Sequence, residues 1–265
     1  MQFAGSLFRS NRRGVGIIYI LPLLKRDWYS FRKHIIVYLA LWVLFPVLMH
    51  LLLAIPLSYL ISMEVRYLNW AAAGIWVTSA GMASFLETAL RIRKINYETG
   101  QIEAILQSPI SNLDLLIVLS LRGVIFGFMQ FIIAILLTCT LNHEYLGTLS
   151  IIMIIIQVMA VILFFTVLGM LLGLLISHRS ILIQLSMVLF IIISMGLGSF
   201  IPISSYPESY VVIANKIPLM IVVQNLQSII IHQSVHWVSF FLTLVLTTFL
   251  FCIALMTSNK IFRNI

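Results

Sequence analysis

Charged residues are scarce in this sequence. Asp, Glu, Lys and Arg make up 9% of its 265 residues, whereas about 25% is usual in soluble domains. Cysteine is scarcer still, because Cys139 and Cys252 are the only two. Both fall within apolar runs, so neither a disulfide framework nor a cysteine metal site is indicated. Hydrophobic residues account for 62% of the chain, and this composition predicts an integral membrane protein.

Common catalytic and nucleotide-binding signatures are also missing. No Gly is followed by Lys, so the chain lacks the phosphate-binding loop G-x-x-x-x-G-K-S/T. No G-x-S occurs, and His143-Glu144 is followed by Gly147 where H-E-x-x-H requires a second His. We therefore expect no catalytic, cofactor-binding or metal-binding residues on this chain, and an intramembrane hydrolase is disfavoured.

Apolar runs that reach the roughly 20 residues needed to cross a bilayer recur along the whole sequence. We predict six spans, at residues 35–57, 68–90, 117–141, 150–176, 181–200 and 237–258. The predicted fold class is all-α, a polytopic membrane protein with one domain over residues 1–265. Within it, residues 1–34 form a cytosolic and interfacial segment, residues 35–258 the six-span bundle, and residues 259–265 a cytosolic tail.

The segment before the first span mixes apolar, aromatic and basic residues. Residues 17–34 contain Pro22, Trp28 and Tyr29 among several Lys and Arg. A helix lying along the membrane surface would place its rings at the boundary and its cations against anionic headgroups. We predict such an interfacial helix; the alternative is that these residues only anchor the first span.

The distribution of Lys and Arg predicts the orientation, because cytoplasmic loops carry an excess of both. Fourteen of the sixteen fall on one side of the predicted spans, and only Arg66 and Lys216 fall on the other. Both termini should therefore be cytoplasmic, in a plasma membrane or bacterial inner membrane. The net charge of +8 follows this pattern and forms no basic stripe with stacking aromatics, so no nucleic-acid partner is expected.

One stretch, NYETGQIEAILQSPIS at residues 96–111, is unusually polar for this chain. In a helix it would have a polar face opposite an apolar one. Thr99 would cap this helix and Pro109 would end it, while Ser111 and Asp114 would cap a second helix that continues into the third span. The pattern predicts a cytosolic helical hairpin, which is either a docking surface for a partner or a solvated element resting on headgroups.

The run YETGQIEAILQSPIS (residues 97–111) resembles the coupling-helix segment of ABC-2 type exporter permeases. The likeness extends to YLNWAAAGIWVTSAGMASFLET (67–88), which is similar to the second span of the nodulation-factor and drug-resistance exporter branch. It extends also to FIPISSYPESYVVIANKIPLMIVVQNLQ (200–227), which is similar to the external segment of that branch. Together these stretches lie within a resemblance that runs from about Leu24 to the last span.

The resemblance implies a permease in which six spans pair with a second copy, most simply as a homodimer. It also implies two copies of a separate ATP-binding subunit, which would hold ATP and Mg²⁺, whereas this chain would hold no cofactor. The coupling helix would dock into the ATPase, and closure of the ATPase pair around nucleotide would tilt the spans. The residues implied in this coupling are Glu98, Thr99, Gly100, Gln101, Glu103, Ser108 and Pro109.

The segment 201–219 contains three prolines, and the apolar run that continues to Ile231 falls short of a seventh span. The resemblance implies short helices that dip back into the outer leaflet before the last span. The alternative is an ordinary loop followed by another crossing. That crossing would place Lys260 and Arg263 outside, against the charge rule, so we expect re-entrant helices.

Polar residues inside the spans are candidates for a translocation path. They are His50, Glu87, Gln130, Gln157, Gln184 and Ser194. Each also has a structural explanation, which we favour. Glu87 and Arg91 have the spacing of an i,i+4 ion pair, and Gln157 and Gln184 are placed to bridge helices by hydrogen bonds.

Two pairs of glycines, Gly123/Gly127 and Gly169/Gly173, have the four-residue spacing that lets helices approach closely. This spacing also arises by chance. We expect packing faces on the third and fourth spans.

The spans contain few charges near their centres. This favours a hydrophobic, lipid-like or lipid-linked substrate, such as a lipid-linked saccharide, over an ion. The alternative function is a secondary transporter or channel without an ATPase partner. Such a protein would need an ion-coupling site and inverted halves with interrupted helices, and the sequence shows neither clearly.

Overall fold

A computed structural model describes residues 25, 29, 31–63, 65–98, 112–143, 146–232, 234 and 236–263, with backbone only at 262 and 263. Over these residues the chain is 88% helical and contains no strand, which confirms the all-α class. Five of the described helices are long and apolar enough to cross a membrane, and a bent helix pair is a sixth candidate.

The helices of the described chain are numbered in order. They are α1 (Ile35–Leu60), α2 (Tyr67–Arg93), α3 (Asn112–Asn142), α4 (Thr148–Leu175), α5 (Arg179–Gly196), α6 (Glu208–Ala214), α7 (Pro218–His232) and α8 (Trp237–Arg263). A helix thus occupies each of the six predicted spans, in α1 to α5 and α8. The third span begins at Asn112, so the second limb of the predicted hairpin and the span are one continuous helix.

α1 contains a π-helical turn at His50–Ala54. Pro56 follows this turn and has no N–H, so the carbonyl of Leu52 lacks its usual helical donor four residues on. A wider turn is a common way for a helix to absorb such a break. Before α1, residues 31–33 are helical and the chain turns at His34, so the end of the N-terminal segment is a separate helix from the first span.

α2 lies at the centre of the bundle. Most of its 27 residues are buried, and it packs against α3, α4 and α7. At about 1.5 Å per residue it is about 40 Å long, enough to cross a bilayer, yet it is not among the five strongly apolar helices. Its sequence is rich in Ala, Gly, Ser and Thr because its neighbours are other helices, for which small side chains suit close contact.

The two predicted glycine faces, one on α3 and one on α4, both pack against this central helix. A methyl group added at Gly169 or Gly173 of α4 would lie 2.5 or 2.6 Å from the backbone oxygens of Phe85 and Ala89. On α3, a methyl group at Gly127 would lie 2.8 Å from Cβ of Ser84. Both glycine pairs therefore allow α3 and α4 to approach α2 closely, as predicted.

α6 and α7 precede the last helix and are bent by 95° across a break of a few residues. Lys216 and Asn215 lie in this break, and Pro218 begins α7. A bend of this size fits a re-entrant pair or a broken span, and it agrees with the short helices expected before α8.

The loops of the bundle fall at two ends, which we name the basic end and the far end. The basic end contains Arg93, Ser177, Arg179 and Asn259; the far end contains residues 61–63, 65–66, His143 and residues 197–217.

Candidate functional site

The predicted coupling segment is described only at its boundaries. Glu98 closes the π-helical turn Lys94–Glu98 that extends α2. The other implied coupling residues lie outside the described part of the chain: Thr99, Gly100, Gln101, Glu103, Ser108 and Pro109.

The first boundary of this segment is attached to the end of α4. Arg93 is buried; its Nη2 pairs with the carboxylate of Glu98, and its Nη1 donates to the carbonyl of Ser177 at 3.1 Å. Tyr97 donates from Oη to the carbonyl of Leu174 at 2.9 Å. The hydrogen bond from Arg93 holds the pKa of Glu98 below its ordinary value. These contacts join the exit from α2 to the loop between α4 and α5.

The second boundary is attached to α8. Nδ2 of Asn112 donates to Oδ1 of Asn259 at 2.9 Å. Beneath both boundaries lies an apolar cluster contributed by α2, α3, α4 and α8, which we name the basic-end cluster. It comprises Ile92, Ile95, Leu115, Leu116, Leu119, Met170, Leu174 and Ala254. The described residues on either side of segment 99–111 therefore lie over the same apolar cluster.

Farther from the basic end along both helices, Glu87 of α2 pairs with Arg122 of α3. The Nε and Nη2 atoms of Arg122 lie 2.6 and 2.5 Å from Oε1 of Glu87. This is a partner 35 residues along the chain, which the i,i+4 prediction for Glu87 and Arg91 did not include. The guanidinium carbon also lies 5.3 Å from the ring centroid of Phe126, a distance suited to a cation–π contact.

Phe126 belongs to an aromatic cluster that joins α3 to α1 and to the helix before it. Its ring centroid lies 5.2 to 5.6 Å from those of Phe31, Tyr38 and Trp42, in edge-on geometries. Such geometries are favourable for aromatic pairs. The Glu87–Arg122 pair is therefore enclosed on one side by rings from the N-terminal part of the chain.

The six candidate path residues do not form one site. Glu87 pairs with Arg122, Gln130 donates to the carbonyl of Trp42 at 3.0 Å, and Ser194 donates to its own helix at Phe190. Gln184 is exposed on α5. His50 is buried, with no hydrogen bond to Nδ1 from the described residues.

Bridging between helices was predicted for Gln157 and Gln184, and the structure does not bear this out. Gln157 is fully buried on α4, but neither its side-chain oxygen nor its nitrogen has a partner among the described residues. Gln184 faces outward because α5 lies at the edge of the bundle, with few of its residues buried. Spacing within one helix cannot indicate which face meets a neighbour.

At the far end, a set of side chains holds an unwound stretch after α5 that the sequence did not indicate. Four side chains each donate to one carbonyl of residues 195–200, and we name this set the carbonyl clasp. The donors and acceptors are Tyr206 to Met195 (2.6 Å), Tyr210 to Gly196 (2.6 Å), Gln227 to Gly198 (2.8 Å) and Tyr67 to Phe200 (2.5 Å). Burial raises the pKa of Tyr206, which keeps its hydroxyl protonated as a donor.

The clasp positions the bent pair α6–α7 against α2 and α5. Gly198 has a φ of 72°, a conformation that favours glycine. Gly74 of α2 has no room for a side chain, because a methyl group there would collide with the carbonyl of Ser199. The sequence signal that could have indicated this arrangement is a pair of tyrosines four residues apart in a proline-containing segment.

Comparisons with known proteins add no relatives: no protein-family model matches the chain, and no curated protein is significantly similar to it. The class of protein is therefore argued from the fold. An all-helical bundle with five or six helices apolar enough to span a bilayer is compatible with a multi-pass membrane protein.

Proposed function

We propose that this chain is the membrane-spanning permease subunit of an ATP-driven ABC exporter of the ABC-2 type, with ATP hydrolysis on a separate chain. The observation that carries the proposal is the attachment of both boundaries of segment 99–111. Arg93 and Tyr97 bind α4 and the loop after it, and Asn112 binds α8. Attachment at both boundaries would let a displacement of this segment reach α4 and α8.

The packing of the bundle supports a way in which this segment would act. The π-helical turn Lys94–Glu98 continues directly from α2, and α2 is in close backbone contact with α4 at Gly169 and Gly173. A displacement of the segment by a partner would therefore move α2, α3 and α4 together, since packed helices shift as bodies more readily than they deform.

We further propose that the working unit is a homodimer with two ATP-binding subunits in a bacterial inner membrane, with both termini cytoplasmic. α1, α5 and α8 are the least buried of the apolar helices, at 22% of the residues in their most apolar windows, so they have apolar faces available for lipid or a second copy. The lack of a cluster among the six path candidates favours a pathway completed by that second copy.

The proposed cargo is a hydrophobic, lipid-like or lipid-linked molecule. The charged side chains Glu87, Arg93 and Arg122 lie toward the basic end and make contacts within the protein, whereas an ion pathway would need such groups near the membrane centre. An amphiphile taken from the inner leaflet suits the apolar helices better.

The deciding experiment is purification of the tagged chain from its native host under gentle solubilisation, followed by native mass spectrometry. We expect two copies of this chain with two copies of an ATP-binding chain, and ATP hydrolysis in reconstituted vesicles. Transport by the purified chain alone, driven by an ion gradient and insensitive to ATP, would instead support the secondary-transporter alternative.

A further inference from the structure

The far end contains an open cavity of about 620 Å³, within the range of about 300 to 1,000 Å³ that is usual for small-molecule sites. Its walls come from the connection between α1 and α2, from the start of α2, from the turn after α5, and from α7. Its lining includes Trp70, Ser204, Ser205, Gln224, Gln227 and His232.

The lining combines one large aromatic ring with uncharged polar groups. Trp70 is 7% exposed and presents a small part of its indole to the cavity, and hydroxyl, amide and imidazole groups line the wall beside it. None of the described lining residues is Asp, Glu, Lys or Arg. Glu64, which lies between two lining residues in sequence, is outside the described part of the chain.

Several of these polar groups are available to a ligand. The side chains of Ser204, Ser205, Gln224 and His232 have no hydrogen-bond partner among the described residues, although each lines the cavity. Gln224 is partly buried, so its amide has restricted access to bulk water. A ligand with several donors and acceptors would pair with these groups.

The walls are fixed by contacts already present. Gln227 belongs to the carbonyl clasp, and Tyr67, another clasp residue, packs 5.6 Å from the ring of Trp70. On the other side of α7, Nδ2 of Asn225 donates to the carbonyl of His236 at 2.9 Å and to Ser239 at 3.0 Å. Fixed walls reduce the ordering cost of binding.

We propose that this cavity binds an uncharged, hydroxyl-rich group, such as a sugar ring, with its apolar C–H face against the exposed part of the Trp70 indole and its hydroxyls paired with Gln224 and Ser204. A charged ligand would lose hydration without an opposite charge in the described lining. A purely apolar ligand would leave the amide and hydroxyl groups unpaired. A sugar presents both kinds of surface, whatever the direction or energy source of transport.

Two sources would supply such a group: a free saccharide and the headgroup of a glycolipid. Cysteine protection separates them. In the C139A/C252A background, Ser205→Cys places a thiol in the cavity and Asn215→Cys places a control thiol in the exposed break after α6. The rate of maleimide labelling is measured for purified protein in an amine-oxide detergent, so that no detergent sugar competes.

The probes are maltose, lactose and N-acetyllactosamine as free sugars, decyl maltoside as a lipid-like sugar, and inorganic phosphate as a charged control. We expect at least one sugar probe to slow labelling at Ser205→Cys several-fold and to leave Asn215→Cys unchanged. Protection by decyl maltoside alone would assign a glycolipid headgroup, and protection by a free sugar at similar concentration would assign a soluble saccharide.

Gln224→Leu keeps the side-chain volume and removes the amide, so it should abolish protection while the labelling rate without probe stays the same. Trp70→Phe, which keeps an aromatic core residue, should weaken protection several-fold. The proposal is overturned if no sugar probe protects Ser205→Cys, if phosphate protects it equally, or if Gln224→Leu retains full protection.

Discussion

Arg122 of α3 donates a hydrogen bond from Nε to Oε1 of Glu87 on α2 at 2.6 Å, and its Nη2 lies 2.5 Å from the same oxygen, with the two side chains 10% and 17% exposed. The pair is thus largely withdrawn from solvent, and its charges compensate each other. It lies between the aromatic cluster of α1 and α3 and the glycine contact of α3 with α2, so it fixes the relative position of three helices near the basic end.

Removing one member of this pair should destabilise the protein strongly. Glu87→Ala would leave the guanidinium of Arg122 buried without this carboxylate, and breaking a buried pair costs about 3–5 kcal/mol. We expect a clear decrease in the temperature at which the detergent-solubilised protein aggregates. The measurement is size-exclusion chromatography after heating.

A paired substitution tests whether the interaction itself is responsible. Glu87→Met with Arg122→Met removes both charges and keeps much of the volume, and such replacements are often close to neutral. The double variant should therefore be more stable than either single variant. Additive losses would show that the two residues act independently.

Gly169→Ala should separate α4 from α2. The new methyl group would lie 2.5 Å from the carbonyl oxygen of Phe85, so backbone must move, and overpacking of this kind costs about 1–3 kcal/mol. Gly147→Ala is the matched control, because its nearest neighbour would be 4.0 Å away. Equal thermal stability of the two variants would contradict the close contact.

The extent of agreement between sequence and structure has a physical explanation. Hydropathy identifies helices that face lipid, so α1, α3, α4, α5 and α8 were predictable, and the small residues of α2 were readable as a span. The Gly169/Gly173 spacing predicted a packing face without indicating its partner. Contacts between distant residues, such as Glu87 with Arg122, depend on the rotation and register of whole helices, which local periodicity does not determine.

The carbonyl clasp was unpredictable for a related reason. Every residue has a backbone carbonyl, so the sequence does not show which carbonyls lack a helical hydrogen-bond donor. The structure shows that the chain is unwound at residues 197–201, where side chains must donate instead. The prolines did indicate irregular structure there. They could not indicate that Tyr206 and Tyr210 would turn back to bind the carbonyls of Met195 and Gly196 at the end of α5.

Tyr67→Phe tests the clasp with a minimal change. Loss of the hydroxyl leaves the buried carbonyl of Phe200 without this donor, which costs about 1–3 kcal/mol. We expect faster amide hydrogen exchange at residues 197–201. Tyr59→Phe, at a tyrosine that is 84% exposed, is the control and should leave the exchange rate unchanged. Equal protection of these amides in both variants would show that the Tyr67 hydroxyl does not stabilise residues 197–201.

The fourteen-to-two distribution of Lys and Arg predicts which end of the bundle is outside. A membrane-impermeant thiol reagent applied to intact cells should label cysteines introduced at Glu64, His143 and Ser205. It should not reach cysteines at Gln101 or Asn264 until the membrane is permeabilised. Labelling of Gln101 from outside would reverse the orientation and remove the basis for a cytosolic coupling segment.

Charge reversal within segment 99–111 tests its proposed role directly. If Glu103 faces a cationic groove of an ATPase, Glu103→Lys loses an attractive pair and adds repulsion, which costs a few kcal/mol in a desolvated contact and less than about 1 kcal/mol at a wet rim. Gly100→Trp tests the same surface by steric exclusion. Both variants should insert and dimerise normally, because the helices are unchanged, while ATPase copurification and transport-linked ATP hydrolysis decrease.

Glu208→Lys makes the same charge reversal at the exposed start of α6 and should leave ATPase binding unaffected. Normal ATPase binding and transport in both segment variants would mean that residues 99–111 are a solvated loop and that coupling, if present, uses another surface.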